Sequence, residues 1–255
     1  MKLLLPCTDR ELLSVYNPYR MTVKHHDVAA TRYLVDAGID VNADCDVSEE
    51  LERRLYKPEF WFYELYSRRG NPLVATALSE VHIDQANTLL EAGAYPDAPD
   101  LDRVPPLLIA LASMDQLPLV RVLISAGASV NVYHPRVIGN MSLVVSVHCL
   151  QCLDLMLRCG AEPDSLFHRV PVVEAERSDD SDMPAAPMSF CDVVAKAHPA
   201  MRDWRVKFEH VLLCLLLYSS SVSLDDRLAG YCKSESEWHQ LKALAGSSSL
   251  CARNC

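Results

Sequence analysis

The chain has 255 residues, 50% hydrophobic and 23% charged, an ordinary globular balance sized for one large or two small domains. Its 24 basic and 34 acidic residues give a formal charge of −10. That field repels polyanions, and no run of five Lys or Arg occurs, so nucleic acid and anionic membrane surfaces are not expected partners.

At the start, Met1-Lys2-Leu3-Leu4-Leu5-Pro6 imitates a secretion signal, but its apolar core is three residues long against the roughly 7–15 required. The longest aliphatic run, Val211 to Tyr218, has eight residues, far short of the about 20 of a membrane span. The expectation is a soluble, non-secreted chain of the cytoplasm, with the nucleus as alternative. Ten cysteines in 255 residues, about 4%, fall below the level of a disulfide scaffold and read as reduced thiols.

One segment recurs four times: Tyr33-Leu34-Val35-Asp36-Ala37-Gly38, Thr88-Leu89-Leu90-Glu91-Ala92-Gly93, Val122-Leu123-Ile124-Ser125-Ala126-Gly127 and Leu155-Met156-Leu157-Arg158-Cys159-Gly160. The glycines are 55, 34 and 33 positions apart, so the first interval carries about 22 extra residues. Apolar residues three and four places before each glycine predict a helix face turned to a core, and the glycine predicts a positive-φ helix end. Four residues after each glycine stands Asn42, Asp97, Asn131 or Asp164, a short polar side chain suited to holding its own turn. Pro18, Pro72 and Pro106 lie 20 or 21 residues before the first three glycines and mark helix starts. Each unit thus reads as helix, turn, helix, glycine cap and extended loop.

This pattern resembles the ankyrin repeat over residues 14–165. The resemblance implies an all-α fold: an ankyrin-repeat solenoid of about four repeats, followed by a small C-terminal helical region. The chain departs from the family at the first helix of each unit. There it reads Asn17-Pro18-Tyr19-Arg20, Asn71-Pro72-Leu73-Val74, Pro105-Pro106-Leu107-Leu108 and Asn140-Met141-Ser142-Leu143 rather than Thr-Pro-Leu-His. The expectation is that the capping hydrogen bonds of that box are missing. Residues 1–13 read as the end of a further unit or as a short helix covering the first repeat.

The insertion, at about 44–70, opens acidic and then carries Tyr56, Phe60, Trp61, Phe62, Tyr63 and Tyr66, six of the 18 aromatics in 11 residues. Insertions in repeat proteins map to one face, often the binding face. Two readings stand: a protruding contact for a partner protein, or a cluster folded back on the helices. Residues 166–189 contain Pro171, Pro184, Pro187 and five carboxylates and read as an acidic linker before the C-terminal region 190–255. In that region Trp204, Phe208, Val211, Leu212, Leu215 and Leu216 have helical spacing. Leu224 and Leu228, then Trp238, Leu241 and Leu244, add two or three helices.

The opening leucines, the insertion after the first Asn, Ser189-Phe190-Cys191, Leu216-Leu217-Tyr218 and Glu237-Trp238 occur in the order that is similar to the ankyrin repeat and SOCS box family. That resemblance implies that the repeats bind a substrate protein. It also implies a C-terminal box that binds elongin B and elongin C and recruits a cullin to make a ubiquitin ligase. The elongin-box-like residues are Ser249, Leu250 and Cys251. Ser249-Leu250 fit the start of the family motif, but Cys251 comes too early and the second Leu-Cys-Arg is absent in register. The expectation is that binding of a substrate protein is retained while recruitment is weak or lost, so that such a chain could compete with full-length relatives.

Little reads as chemistry. His148-Cys149-Leu150-Gln151-Cys152 holds a single Cys-x-x-Cys where zinc needs four ligands, and Cys159 has the spacing of a core residue, so these cysteines read as small buried apolar groups. His25-His26-Asp27 is expected in the turn between two helices, its side chains diverging. Asp225-Asp226 reads as a helix start. No catalytic residue, metal or cofactor is expected, and the chain is not read as an enzyme. The candidate partner-binding residues are the insertion aromatics Tyr56, Phe60, Trp61, Tyr63 and Tyr66, with Tyr95, Asp100, Arg103, Tyr133, His134 and Arg136 after the glycines.

Overall fold

A computed structural model describes residues 17–43, 45–46, 69–79, 83–97, 104–112, 116–133, 139–147, 149–166, 190, 204–219, 224, 226–232 and 234–247. The fold is mostly helical, in two compact units, residues 1–129 and 130–255.

In the first unit the helices come in pairs: α1 (Tyr19–Lys24) with α2 (Val28–Asp36), α3 (Pro72–Leu78) with α4 (Ile83–Glu91), and α5 (Pro106–Leu111) with α6 (Leu117–Ser125). First helices touch first helices, α1 to α3 to α5, and second helices touch second, α2 to α4 to α6, which makes two layers. Position in the stack decides pattern. Every residue of α3 and α5 is buried, so these short helices are apolar nearly all round. Second helices keep one buried stripe, Leu119, Val120 and Leu123 in α6 for instance, at i, i+1, i+4 spacing.

Each second helix ends in the same way. The N–H of Gly38, Gly93 or Gly127 donates to the carbonyl three residues back, at 2.9–3.0 Å, and the next N–H donates to the carbonyl five back, at 2.9–3.1 Å. This double closure needs the glycine at positive φ, here 76°, 92° and 93°. The residue four before each glycine, Leu34, Leu89 or Leu123, is buried as its spacing predicts.

The predicted loss of caps is corrected by asparagine. Asn17 Oδ1 accepts from the Tyr19 N–H at 3.0 Å and Asn71 Oδ1 accepts from the Val74 N–H at 2.8 Å. Proline stands at the cap position itself in both α1 (Pro18) and α5 (Pro105), and in α1 Asn17, one residue further out, supplies the oxygen instead. A short polar oxygen one turn ahead of the helix satisfies an orphan N–H whether it comes from threonine or asparagine.

The fold also contains a small departure from all-helical structure. Cys45–Asp46 (β1) pairs antiparallel with Arg69–Gly70 (β2), which ties the two ends of the insertion together.

In the second unit, α7 (Met141–Ser146) packs on α8 (Leu150–Arg158), α8 on α9 (Trp204–Tyr218), and α9 on α10 (Glu235–Ser247). Asn140 caps α7, and Gly160 closes α8 at φ 91° with the same pair of bonds, 3.1 and 3.0 Å long. Asp164–Leu166 and Asp226–Tyr231 are 3-10 segments of three and six residues. Phe208, Val211, Leu212, Leu215 and Leu216 of α9 are buried, as their spacing predicts. Leu244 departs from expectation: it is 48% exposed, whereas Trp238 and Leu241 on α10 are buried. Lys242 on α10 pairs with Asp226 and lies 5.5 Å from the Trp238 ring centroid, pinning the 3-10 turn to the helix.

Two predictions follow from the closures and the core. A Cβ at Gly127 meets nothing within 4 Å, whereas at Gly139 (φ 91°) it meets the Ser165 carbonyl oxygen at 2.7 Å. Gly127→Ala should therefore lose only the positive-φ term, about 1–2 kcal/mol, and Gly139→Ala should lose more in urea denaturation. Tyr19 is fully buried, and its hydroxyl donates to the Ile39 carbonyl at 2.9 Å. Burial, with Asp40 adding to it, pushes the phenol up to about 12 from its ordinary 10.0. Between these values the unfolded chain has lost the proton that the folded chain still holds. The stabilisation is complete below the unfolded value and is lost as pH rises through the folded one. Tyr19→Phe should flatten this alkaline slope in melting curves recorded across that range.

Candidate functional site

In each unit the turns are joined by the residues four places after the glycines, and their role differs from the local one that the sequence predicts. Asn42 reaches 51 residues along the chain: its Nδ2 donates to the Gly93 carbonyl at 3.1 Å. Its Oδ1 accepts the Tyr95 N–H at 2.9 Å. In the second unit Asn131 repeats both bonds, donating to the Gly160 carbonyl at 3.1 Å and accepting from the Glu162 N–H at 2.9 Å. Asp97 has no side-chain N–H, so it makes only the accepting half, taking the Ser129 N–H on both oxygens at 2.8 and 3.1 Å. In each case the N–H taken belongs to the second residue after the following glycine. These side chains thus join one turn to the next rather than closing their own.

A turn so held presents its side chains outward. Tyr95 is 66% exposed, directly over the N–H that Asn42 accepts. Tyr133 is 54% exposed and its hydroxyl donates to Glu162 Oε2 at 3.3 Å. Burial of its ring edge, and then the Glu162 carboxylate, raise the phenol above its ordinary value. The backbone beneath Tyr133 is rigidly held. Tyr133 and Asn140 form an antiparallel bridge, and the Met141 N–H donates to the Val132 carbonyl at 2.7 Å. Buried Asn140 donates to Asn131 Oδ1 at 2.6 Å and accepts from the Ser142 N–H at 3.0 Å, while its own N–H donates to Ser165 Oγ at 3.0 Å.

Of the predicted contact residues, Tyr95 and Tyr133 are described and exposed. Tyr56, Phe60, Trp61, Tyr63, Tyr66, Asp100, Arg103, His134 and Arg136 lie outside the described residues, as do Ser249, Leu250 and Cys251. Two surface features have no counterpart in the sequence reading. Met21 on α1 is 56% exposed. Between α2 and α4 runs an open groove of about 530 Å³, with Val28 and Arg32 on one wall and Asp84, Asn87 and Glu91 on the other. Its walls lie 52 or more residues apart in the chain, so only lateral helix packing assembles it.

The cysteines require a correction. Cys152 is buried, but Cys149 is only half-buried at the start of α8, and Cys159 is exposed at its end. Core spacing carries Cys152 inward, whereas Cys159 lies one step past the last helical turn. His25 and His26 are exposed in the α1–α2 turn, where His26 takes φ 55° and Asp27 Oδ1 accepts from the Ala30 N–H at 2.8 Å. Among the described residues no three His, Cys, Asp or Glu side chains could share a metal ion, and no helix is long and apolar enough to cross a membrane.

Asn42→Ala should cost about 1 kcal/mol and selectively free one turn. Hydrogen exchange should accelerate at the Tyr95 amide and stay unchanged at the Ser129 amide, which Asp97 holds. Compared with protein-family models and with curated proteins, the chain matches none.

Proposed function

We propose that the chain is a protein-binding module, built as an ankyrin-repeat solenoid. We propose further that it serves as the substrate-recognition subunit of an elongin/cullin-type ubiquitin ligase with a weakened recruiting end. One observation carries the binding reading: turns anchored through Asn42, Asp97 and Asn131 hold Tyr95 and Tyr133 exposed on fixed backbone. Tyrosine on a pre-ordered loop gives large contact area at low entropic cost, the chemistry of protein recognition. The paired helices, their glycine closures and the cross-turn bonds support the ankyrin reading. On this reading the chain makes and breaks no bonds in its target and works in the cytoplasm or nucleus.

The ligase connection rests on the order of family-like segments in the sequence. The register around Ser249-Leu250-Cys251, without the second Leu-Cys-Arg, favours the alternative of an interaction scaffold with no ubiquitin role. Purified chain incubated with elongin C at micromolar concentration distinguishes the two. Strong stoichiometric retention would sink the weakened-end reading, and complete absence of retention favours the scaffold. For the binding surface, Tyr95→Ala and Tyr133→Ala should each weaken capture of co-purifying protein about tenfold, or about 1.4 kcal/mol, with unchanged thermal melting. If both variants bind as well as the parent chain, these turns are not the contact.

A further inference from the structure

The two cysteines of the Cys-x-x-Cys in the second unit do not share one core environment. Cys149 is the N-cap of α8, in extended conformation (φ −126°, ψ 98°), and its Sγ accepts the N–H of Cys152 at 3.4 Å. Cys152, three residues on, lies in the first turn and is 0% exposed. That bond folds the Cys149 sulfur back over the first turn of the helix, next to the backbone of Cys152. Cys149 is half-buried and Cys152 is fully buried. α8 is nine residues long and is held on two sides by α7 and α9, which fixes the direction in which its first N–H groups point. The positive end of a helix favours a thiolate over a thiol, and thiolate is the nucleophile in disulfide exchange.

We propose that Cys149 and Cys152 form a dithiol site for thiol–disulfide exchange with small disulfides of the glutathione disulfide class. The thiolate of Cys149 attacks one sulfur of the small disulfide, whose S–S bond breaks and releases one thiolate. A mixed disulfide remains at Cys149. Cys152 then gives up its proton and attacks Cys149 Sγ, expelling the second small thiolate. The protein loses two electrons and two protons to form one S–S bond. The small disulfide gains both and leaves as two thiols. Exposure and nucleophilicity are divided as such a pair requires: the outer sulfur meets the reagent and the inner one resolves the intermediate.

The same helix supplies an internal control. Cys159 sits at its other end, more exposed than Cys149 but beside backbone carbonyls rather than N–H groups. If exposure alone ruled, Cys159 would react first.

The experiment uses the full chain in glutathione buffers of increasing oxidised fraction, read by mass spectrometry of tryptic peptides. Cleavage after Arg136 and Arg158 releases residues 137–158, whose only cysteines are Cys149 and Cys152. This peptide should become two hydrogens lighter. Under limiting iodoacetamide Cys149 should alkylate at least about tenfold faster than Cys159. Cys152→Ser should accumulate a glutathione adduct at Cys149, because nothing resolves it. Cys149→Ser, which keeps a good helix cap, should leave Cys152 unmodified and thermal melting unchanged. The proposal is overturned if peptide 137–158 keeps both thiols in fully oxidised glutathione. It is equally overturned if Cys159 alkylates as fast as Cys149, or if Cys152→Ser forms no adduct.

Discussion

A side-chain amide that spans two turns is the constraint on which the rest of the structure depends. Asn42 satisfies one carbonyl and one N–H of the next turn at once, and Asn131 does the same in its own unit. Loop backbone groups that face solvent on one side and protein on the other are otherwise left to water. A bridging amide sets the spacing between successive glycine-closed turns without needing a core beneath them. The substitution of Asp97 for asparagine shows the rule by its defect: the carboxylate keeps the accepting bond to Ser129 and gives up the donating one. Within each unit such order lets a tyrosine, Tyr95 in the first and Tyr133 in the second, be exposed on held backbone.

Inside the first unit, register is set by a few buried polar groups. Thr31 Oγ1 lies 2.9 Å from Thr22 Oγ1 and receives the Gln85 side-chain N–H at 2.6 Å, so α1, α2 and α4 meet at one hydrogen-bonded point. Gln116 donates to the carbonyls of Ala77 and Ser79, at 3.2 and 3.1 Å, at the open end of α3. Leucine and alanine faces can slide along one another at little cost, but a buried amide displaced from its partner loses a hydrogen bond with no water to replace it. These contacts convert a set of apolar helices into one defined stacking.

Helix ends do different work in the two units. At Asn17, Asn71 and Asn140 they are closed by side-chain oxygens, and at the glycines by backbone turns. At α8 the N-terminus is closed by a sulfur. A weaker acceptor than oxygen occupies the place where a cap is most needed.

The helix–glycine–Asn/Asp period was legible in the sequence because each part answers to local physics: apolar spacing makes a helix face, and a residue without Cβ takes positive φ. The mostly helical character, the glycine ends, the proline starts of α3 and α5 and the buried face of α9 follow from that period and from spacing. The partners of Asn42, Asp97 and Asn131 were not legible, because they lie 29 to 53 residues away and are chosen by stacking. The same holds for Cys149, Cys152 and Cys159: one spacing pattern, but three environments, decided by where α8 begins, where it ends and what packs on it. Periodicity tells a residue which side of its own helix it occupies. Only the neighbouring helices determine whether that side meets solvent, a core or another turn's backbone.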